Sequence, residues 1–91
     1  MRRVHVIVRG MVQGVGYRYT MRMVARDEGV AGWVRNRADG TVEAEIEGAS
    51  AQVDAVLAWM AEGPPGSRVD AATVRDAAPT GAVGFDVRPT A

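Results

Sequence analysis

This sequence has no cysteine, no lysine and a single histidine, His5. The lack of cysteine rules out a thiolate nucleophile, a disulfide and a thiolate metal site. The lack of lysine rules out Schiff-base chemistry and any phosphate loop that depends on Gly-Lys-Ser/Thr. One histidine cannot form a multi-histidine metal site. An excess of positive charge is missing too: 11 arginines face 11 acidic side chains, for a formal net charge of zero. That balance argues against a protein built mainly to hold nucleic acid, although locally basic patches remain open. No apolar run approaches the ~18 residues needed to cross a bilayer as a helix. The stretch Met1 to Gly10 is basic and then apolar, but His5 and Arg9 interrupt it and it has no small-residue cleavage site, so it does not read as a signal peptide. The expected compartment is the cytoplasm.

What is present reads as one domain over residues 1–91. At 91 residues a chain buries roughly 60 to 65% of its unfolded surface, enough for one modest core without a covalent or metal staple. Val4, Val6 and Val8 alternate with His5, Ile7 and Arg9, which predicts a half-buried strand from about Arg3 to Arg9. Three glycines then fall within Gly10 to Gly16 and mark a loop. The spacing predicts a helix over Tyr17 to Glu28, with Tyr17, Met21, Val24 and Ala25 on one face and Gly29 as its stop. Ala31 to Arg37 and the alternating residues from Thr41 to Gly48 read as two strands joined by a hairpin at Asp39-Gly40. Ser50 is placed to cap a second helix whose Val53, Val56, Leu57 and Met60 form one apolar face. A weaker strand is expected within Val69 to Ala77, and a last one from the alternation of Val83, Phe85 and Val87.

The resulting order, βαββαβ with a short extra strand, predicts an α+β fold. Two amphipathic helices must cover one face of an antiparallel sheet, so a ferredoxin-like two-layer sandwich is the natural arrangement.

The glycine loop follows the first strand and opens into a helix N-terminus, where free N–H groups and the helix dipole favour an anion. Arg18, in the first helical turn, adds a planar fork suited to phosphate oxygens. Taken alone, the loop reads equally well as a tight turn with Arg18 solvated. From Arg18 the helix descends about 17 Å to Gly29, and from Ala31 the next strand climbs about 17 Å to Asn36. Asn36 therefore returns to the level of Arg18, at the sheet end where such units commonly bind ligands. A hairpin-shaping role for Asn36 is the alternative at this step.

These residues resemble a known family. Gly10-Met11-Val12-Gln13-Gly14-Val15-Gly16-Tyr17-Arg18 is similar to the acylphosphatase signature Gly-x-Val-Gln-Gly-Val-x-Phe-Arg. Gly32-Trp33-Val34-Arg35-Asn36, followed by Gly40-Thr41-Val42 and Gly48, resembles the family's second signature, and the likeness continues through Ser67-Arg68-Val69-Asp70. The resemblance implies a ferredoxin-like fold and metal-free, cofactor-free hydrolysis of acyl phosphates to carboxylate and inorganic phosphate. It also implies that Arg18 binds phosphate, that Asn36 orients water, and that the backbone of Gln13, Gly14, Val15, Gly16, Tyr17 and Arg18 forms the phosphate cradle. Tyr17 departs from the usual Phe by a hydroxyl. Arg37 stands where some members carry a Thr that supports the asparagine, and it cannot reproduce a hydroxyl acceptor.

The expected partner is a small-molecule acyl phosphate, with no nucleic acid or membrane and the chain acting as a monomer. RNA-recognition domains share the element order, but their strand aromatics are absent, and aromatic residues make up only 5% of the sequence. A binding module of the kind found within larger carbamoyl-phosphate-using maturation proteins is the stronger competitor, and a free-standing chain favours the enzyme. His5 is expected on the uncovered sheet face, Trp33 and Trp59 as packing residues, and Glu43, Glu45 and Glu47 on a solvated face.

Overall fold

The computed structural model describes residues 1–91. The alternation of valines puts Val4, Val6 and Val8 wholly inside, under the helices, on a strand β1 that runs Arg2–Met11. It is longer than the pattern predicts because Gly10 continues the pairing through a register shift at Arg9/Gly10. Gly10 has φ 135°, and a β-carbon there would run into the Arg68 carbonyl. The close approach of the neighbouring strand therefore requires glycine at this position.

Helix α1, Tyr17–Glu28, buries Tyr17, Met21 and Ala25, with Val24 packed partly against the core. Gly29, at φ 76°, ends it in the left-handed conformation that only glycine adopts without strain. Strands β2, Ala31–Asn36, and β3, Val42–Gly48, form the expected hairpin. Helix α2, Ser50–Glu62, buries Val53, Val56 and Met60. Its cap is Ala49 rather than Ser50. The Gln52 side chain reaches back and accepts the Ala49 N–H at 3.1 Å, which leaves Ser50 already inside the first turn. Strand β4 spans Arg68–Ala77 and β5 spans Phe85–Val87.

The sheet order is β4-β1-β3-β2-β5. Strand β3 is antiparallel to both β1 and β2, so β1 and β2 point the same way with β3 between them. Asn36 and the end of β1 consequently lie at one end of the sheet, as the length calculation requires. The sheet is not antiparallel throughout, because β5 runs parallel to β2, with Gly32 opposite Phe85 and Val34 opposite Val87. The physical reason is the path after β4. Residues 78–84 cross the sheet end at which β2 begins, so the chain can only join β2's edge running in the same direction. Val83 belongs to this crossing and not to a strand, and is 95% exposed.

The face turned away from the helices carries alternating charge. Arg3 Nε donates to Glu45 at 2.6 Å and Nη1 to Glu47 at 3.1 Å, while Glu43 accepts from Arg35 and is bonded to His5, both at 2.7 Å. Glu47 is not solvated as the sequence suggests. It is 3% exposed, and its carboxylate accepts the N–H groups of Thr80 and Gly81, which fastens the crossing segment to β3. Trp33 packs on this face between Arg35 and Arg88, whose Cζ atoms lie 4.9 and 4.7 Å from the indole ring. Trp59 packs against Tyr17 on the other side.

Candidate functional site

The loop between β1 and α1 is anchored from below and open above. Val12 is buried and Val15 rests partly against the core, so two side chains of the loop point inward. Between and beyond them Gly14 and Gly16 sit at φ 74° and 77°, a left-handed conformation that turns successive N–H groups toward one side. The N–H groups from Gln13 to Tyr19 donate to no acceptor in the protein. Some of these are the orphan donors that every helix N-terminus has. Those of the glycine loop extend the same set backward along the chain.

Two side chains brace this segment. The carboxamide of Gln13 donates to the carbonyls of Arg37 at 2.8 Å and Thr41 at 2.9 Å, tying the loop to the β2–β3 turn. Tyr17 is buried, and its hydroxyl donates to the Met60 carbonyl at 2.8 Å, joining the start of α1 to the last turn of α2. Burial pushes the Tyr17 ionisation above the ordinary tyrosine value, so this hydroxyl stays protonated and donating. The hydroxyl that sets this chain apart from the family pattern thus has a definite partner. The sequence places Gln13 only in the backbone cradle and Tyr17 on the apolar face of α1 with an extra hydroxyl; the structure adds the partners of both side chains. The Gln13 clamp carried no sequence signal, since a loop glutamine has many possible partners.

Arg18 follows directly. It is half-buried and takes part in none of the ion pairs of the molecule. Its Cζ lies 5.6 Å from the Tyr19 ring centroid, and that of Arg22 lies 5.5 Å from it. An arginine without a carboxylate partner, beside a row of free N–H groups, has its donors available to an oxyanion.

Asn36 ends β2 opposite Val42, on the face that holds the core. Its backbone carbonyl accepts the Ala91 N–H at 3.0 Å, and the Ala38 N–H donates to the Ala91 carbonyl at 3.2 Å. The C-terminal residue therefore straps the end of β2, a contact the sequence does not announce. Asn36 Oδ1 is the one buried side-chain oxygen or nitrogen without a hydrogen-bond partner. A buried amide oxygen left unpaired costs on the order of 1–3 kcal/mol, so this atom has its acceptor capacity free. In place of a Thr, Arg37 supports the region through its main chain. Its N–H donates to Thr41 and its carbonyl receives Gln13. No group of three or more His, Asp or Glu side chains is arranged to hold a metal ion.

An α+β sandwich that keeps amide donors and a guanidinium free at one sheet end can take an oxyanion and, beside it, a molecule that donates to an amide oxygen. The acylphosphatase family model matches residues 4–87. An acylphosphatase of a Synechococcus strain is 51% identical over 97% of this chain and 94% of its own length. One from Thermococcus kodakarensis is 49% identical over 93% of each. The crystal structure of acylphosphatase from Bacillus subtilis superposes with a TM-score of 0.94 at 36% identity, covering 97% of this chain and 99% of that one. This chain belongs to the acylphosphatase family. A ferredoxin-like likeness also extends to the crystal structure of HypF from T. kodakarensis, at TM-score 0.84 and 28% identity, where this chain covers 12% of the larger protein.

Proposed function

We propose that the chain, as a single domain of residues 1–91, hydrolyses the carboxyl–phosphate bond of small acyl phosphates by direct attack of one water on phosphorus. The loop N–H groups from Gln13 through Gly14, Val15, Gly16 and Tyr17 to Arg18, with the Arg18 guanidinium, bind the phosphoryl oxygens. In a loose phosphoryl-transfer transition state the charge sits on the three equatorial oxygens, and preorganised donors stabilise it there. Asn36 Oδ1 accepts an O–H of the attacking water and holds it in line, which contributes orientation and not basicity. The water oxygen bonds to phosphorus, the P–O bond to the acyl group breaks, and its electron pair leaves on a carboxylate. The water proton goes to a phosphate oxygen. A carboxylate is a good leaving group, so no strong general acid is required, and no step calls for a metal or cofactor.

The observation that carries this reading is the unpartnered, buried Asn36 oxygen at the sheet end where the glycine loop leaves its N–H groups free. The reading extends to a monomer acting in the cytoplasm on a small molecule, apart from nucleic acid and membrane. The balanced charge of the sequence supports a small-molecule substrate over nucleic acid, and no helix is long and apolar enough to cross a membrane.

The test is hydrolysis of an aromatic acyl phosphate in the presence of a chelator, beside Arg18→Ala. Turnover should persist in chelator and fall at least ~100-fold in the variant, the usual cost of losing one preorganised donor to developing charge. Wild-type turnover in Arg18→Ala would remove the arginine from the mechanism. Phosphate binding without turnover in the unmodified protein would favour an anion-binding module, the reading that the likeness to part of HypF keeps open.

A further inference from the structure

On the uncovered sheet face the charges are mostly matched, as the pairs of Arg3, His5 and Arg35 with their glutamates show. At one place the matching stops. His5, Ile7, Arg9, Arg37, Thr73 and Arg75 line a hollow of about 330 Å3 with no carboxylate on its wall. Arg9 and Arg75 are exposed and join no ion pair, and Arg37 reaches Asp39 only at 3.9 Å. The β1–β4 register sets His5 opposite Arg75 and Ile7 opposite Thr73, and Arg9 follows two residues along on the same face. His5 Nε2 is already engaged by Glu43 at 2.7 Å, so the donors left for a ligand are the three guanidinium groups and the Thr73 hydroxyl. Acids and bases are equal in number in this chain, so Arg9 and Arg75 without a carboxylate partner, beside an Arg37 held only by Asp39 at 3.9 Å, are a local excess that a bound anion would offset.

We propose that this hollow is a second anion site that takes a compact phosphoanion carrying two or more negative charges. Its volume lies at the small end of ligand pockets, which suits a small molecule. It is separate from the glycine loop, because Asn36 faces the helices while Arg37, the next residue, turns to the open face. The two are nevertheless linked through one peptide segment. The Arg37 N–H donates to Thr41, and its carbonyl accepts from Gln13, the residue that clamps the loop. An anion drawn to the Arg37 side chain therefore acts on the backbone that holds the loop in place.

The probe is inorganic pyrophosphate, titrated into isotope-labelled protein and followed by NMR in the unmodified chain and in Arg18→Ala. Shifts that saturate at Ile7, Thr73, Arg75 and the His5 ring, with a Kd at or below about 1 mM that weakens as salt is raised, are expected in both proteins. The double variant Arg9→Ala/Arg75→Ala should lose at least ~10-fold in affinity, as expected when charge-assisted contacts are removed, and keep its basal hydrolysis rate. Shifts confined to Gly14 through Arg18, shifts that never saturate, or unchanged binding in the double variant would overturn the proposal. Equally tight binding of citrate would overturn the phosphoanion assignment. The map in the unmodified chain decides even if the double variant does not fold. It also stands apart from turnover, so failure of the hydrolase reading would leave it intact.

Discussion

Asn36 is fixed through its main chain, by β3 on one side and by Ala91 on the other, while its side-chain oxygen is left unpaired. A residue so placed should matter to rate more than to binding. Asn36→Ala is expected to lower kcat by at least ~10-fold with KM nearly unchanged, because orientation of the water enters only in the transition state. Steady-state kinetics with equal losses in both parameters would contradict that role. Tyr17 lends itself to a stability test. Tyr17→Phe removes the donor to the Met60 carbonyl and leaves that acceptor unpaired in the core, for a loss of about 1–3 kcal/mol in denaturant unfolding. The shared position of Arg18 and Asn36 at one end of the sheet was legible in the sequence, because the up-and-down lengths of α1 and β2 agree. The bracing residues were not. Nothing local to Gln13 says that its amide will find the Arg37 and Thr41 carbonyls, since that contact exists only after the hairpin folds beside the loop.

Elements marked by their own periodicity or turn chemistry were readable, and features set by the route of a distant segment were less so. The valine alternation of β1, the hairpin at Asp39-Gly40 and the apolar faces of both helices follow from periodicity. The parallel setting of β5 does not, since it depends on the route of residues 78–84 and on Glu47 receiving the Thr80 and Gly81 N–H groups. Ser50 failed as a cap because Gln52 serves the turn from inside the helix. Gly10 offers the sharpest test at this scale. Gly10→Ala combines a left-handed-side φ with a clash against the Arg68 backbone. The strain alone costs on the order of 1–3 kcal/mol, so thermal unfolding should fall clearly below the unmodified chain. Hydrogen exchange should rise first along the β1–β4 ladder. An unchanged melting temperature would mean that the bulge relaxes freely.

Over the whole molecule the titrating groups define a window of stability. Backbone N–H groups of Thr80 and Gly81, together with Arg3, hold the Glu47 carboxyl below the ordinary value. Burial pushes Glu43 up, but the bonds to His5 and Arg35 outweigh it and leave that carboxyl lowered as well. A lowered carboxyl stabilises the fold above its unfolded pKa of about 4.3, and the contribution is lost as pH falls through the folded value. Tyr17 has the opposite sign. Its raised ionisation stabilises the fold below about pH 10, and that contribution is lost as pH rises further. Stability measured against pH should therefore be level between about 5 and 10, with an acid limb reduced in Glu47→Gln and an alkaline limb reduced in Tyr17→Phe. A Glu47→Gln profile that coincides with the unmodified one would remove this carboxylate from the account.

The central strand has a kinetic consequence as well. Strand β1 finds neither of its partners nearby in the chain: Val4 lies opposite Ile46, and Val6 lies opposite both Ala44 and Val74. Only the β2–β3 hairpin can zip locally, and every other ladder must close a long loop before it gains any stabilisation. Such a chain is expected to fold slowly for its size, in milliseconds to seconds rather than microseconds. Its rate should respond more to substitutions in β1 than to equal losses of stability in β5.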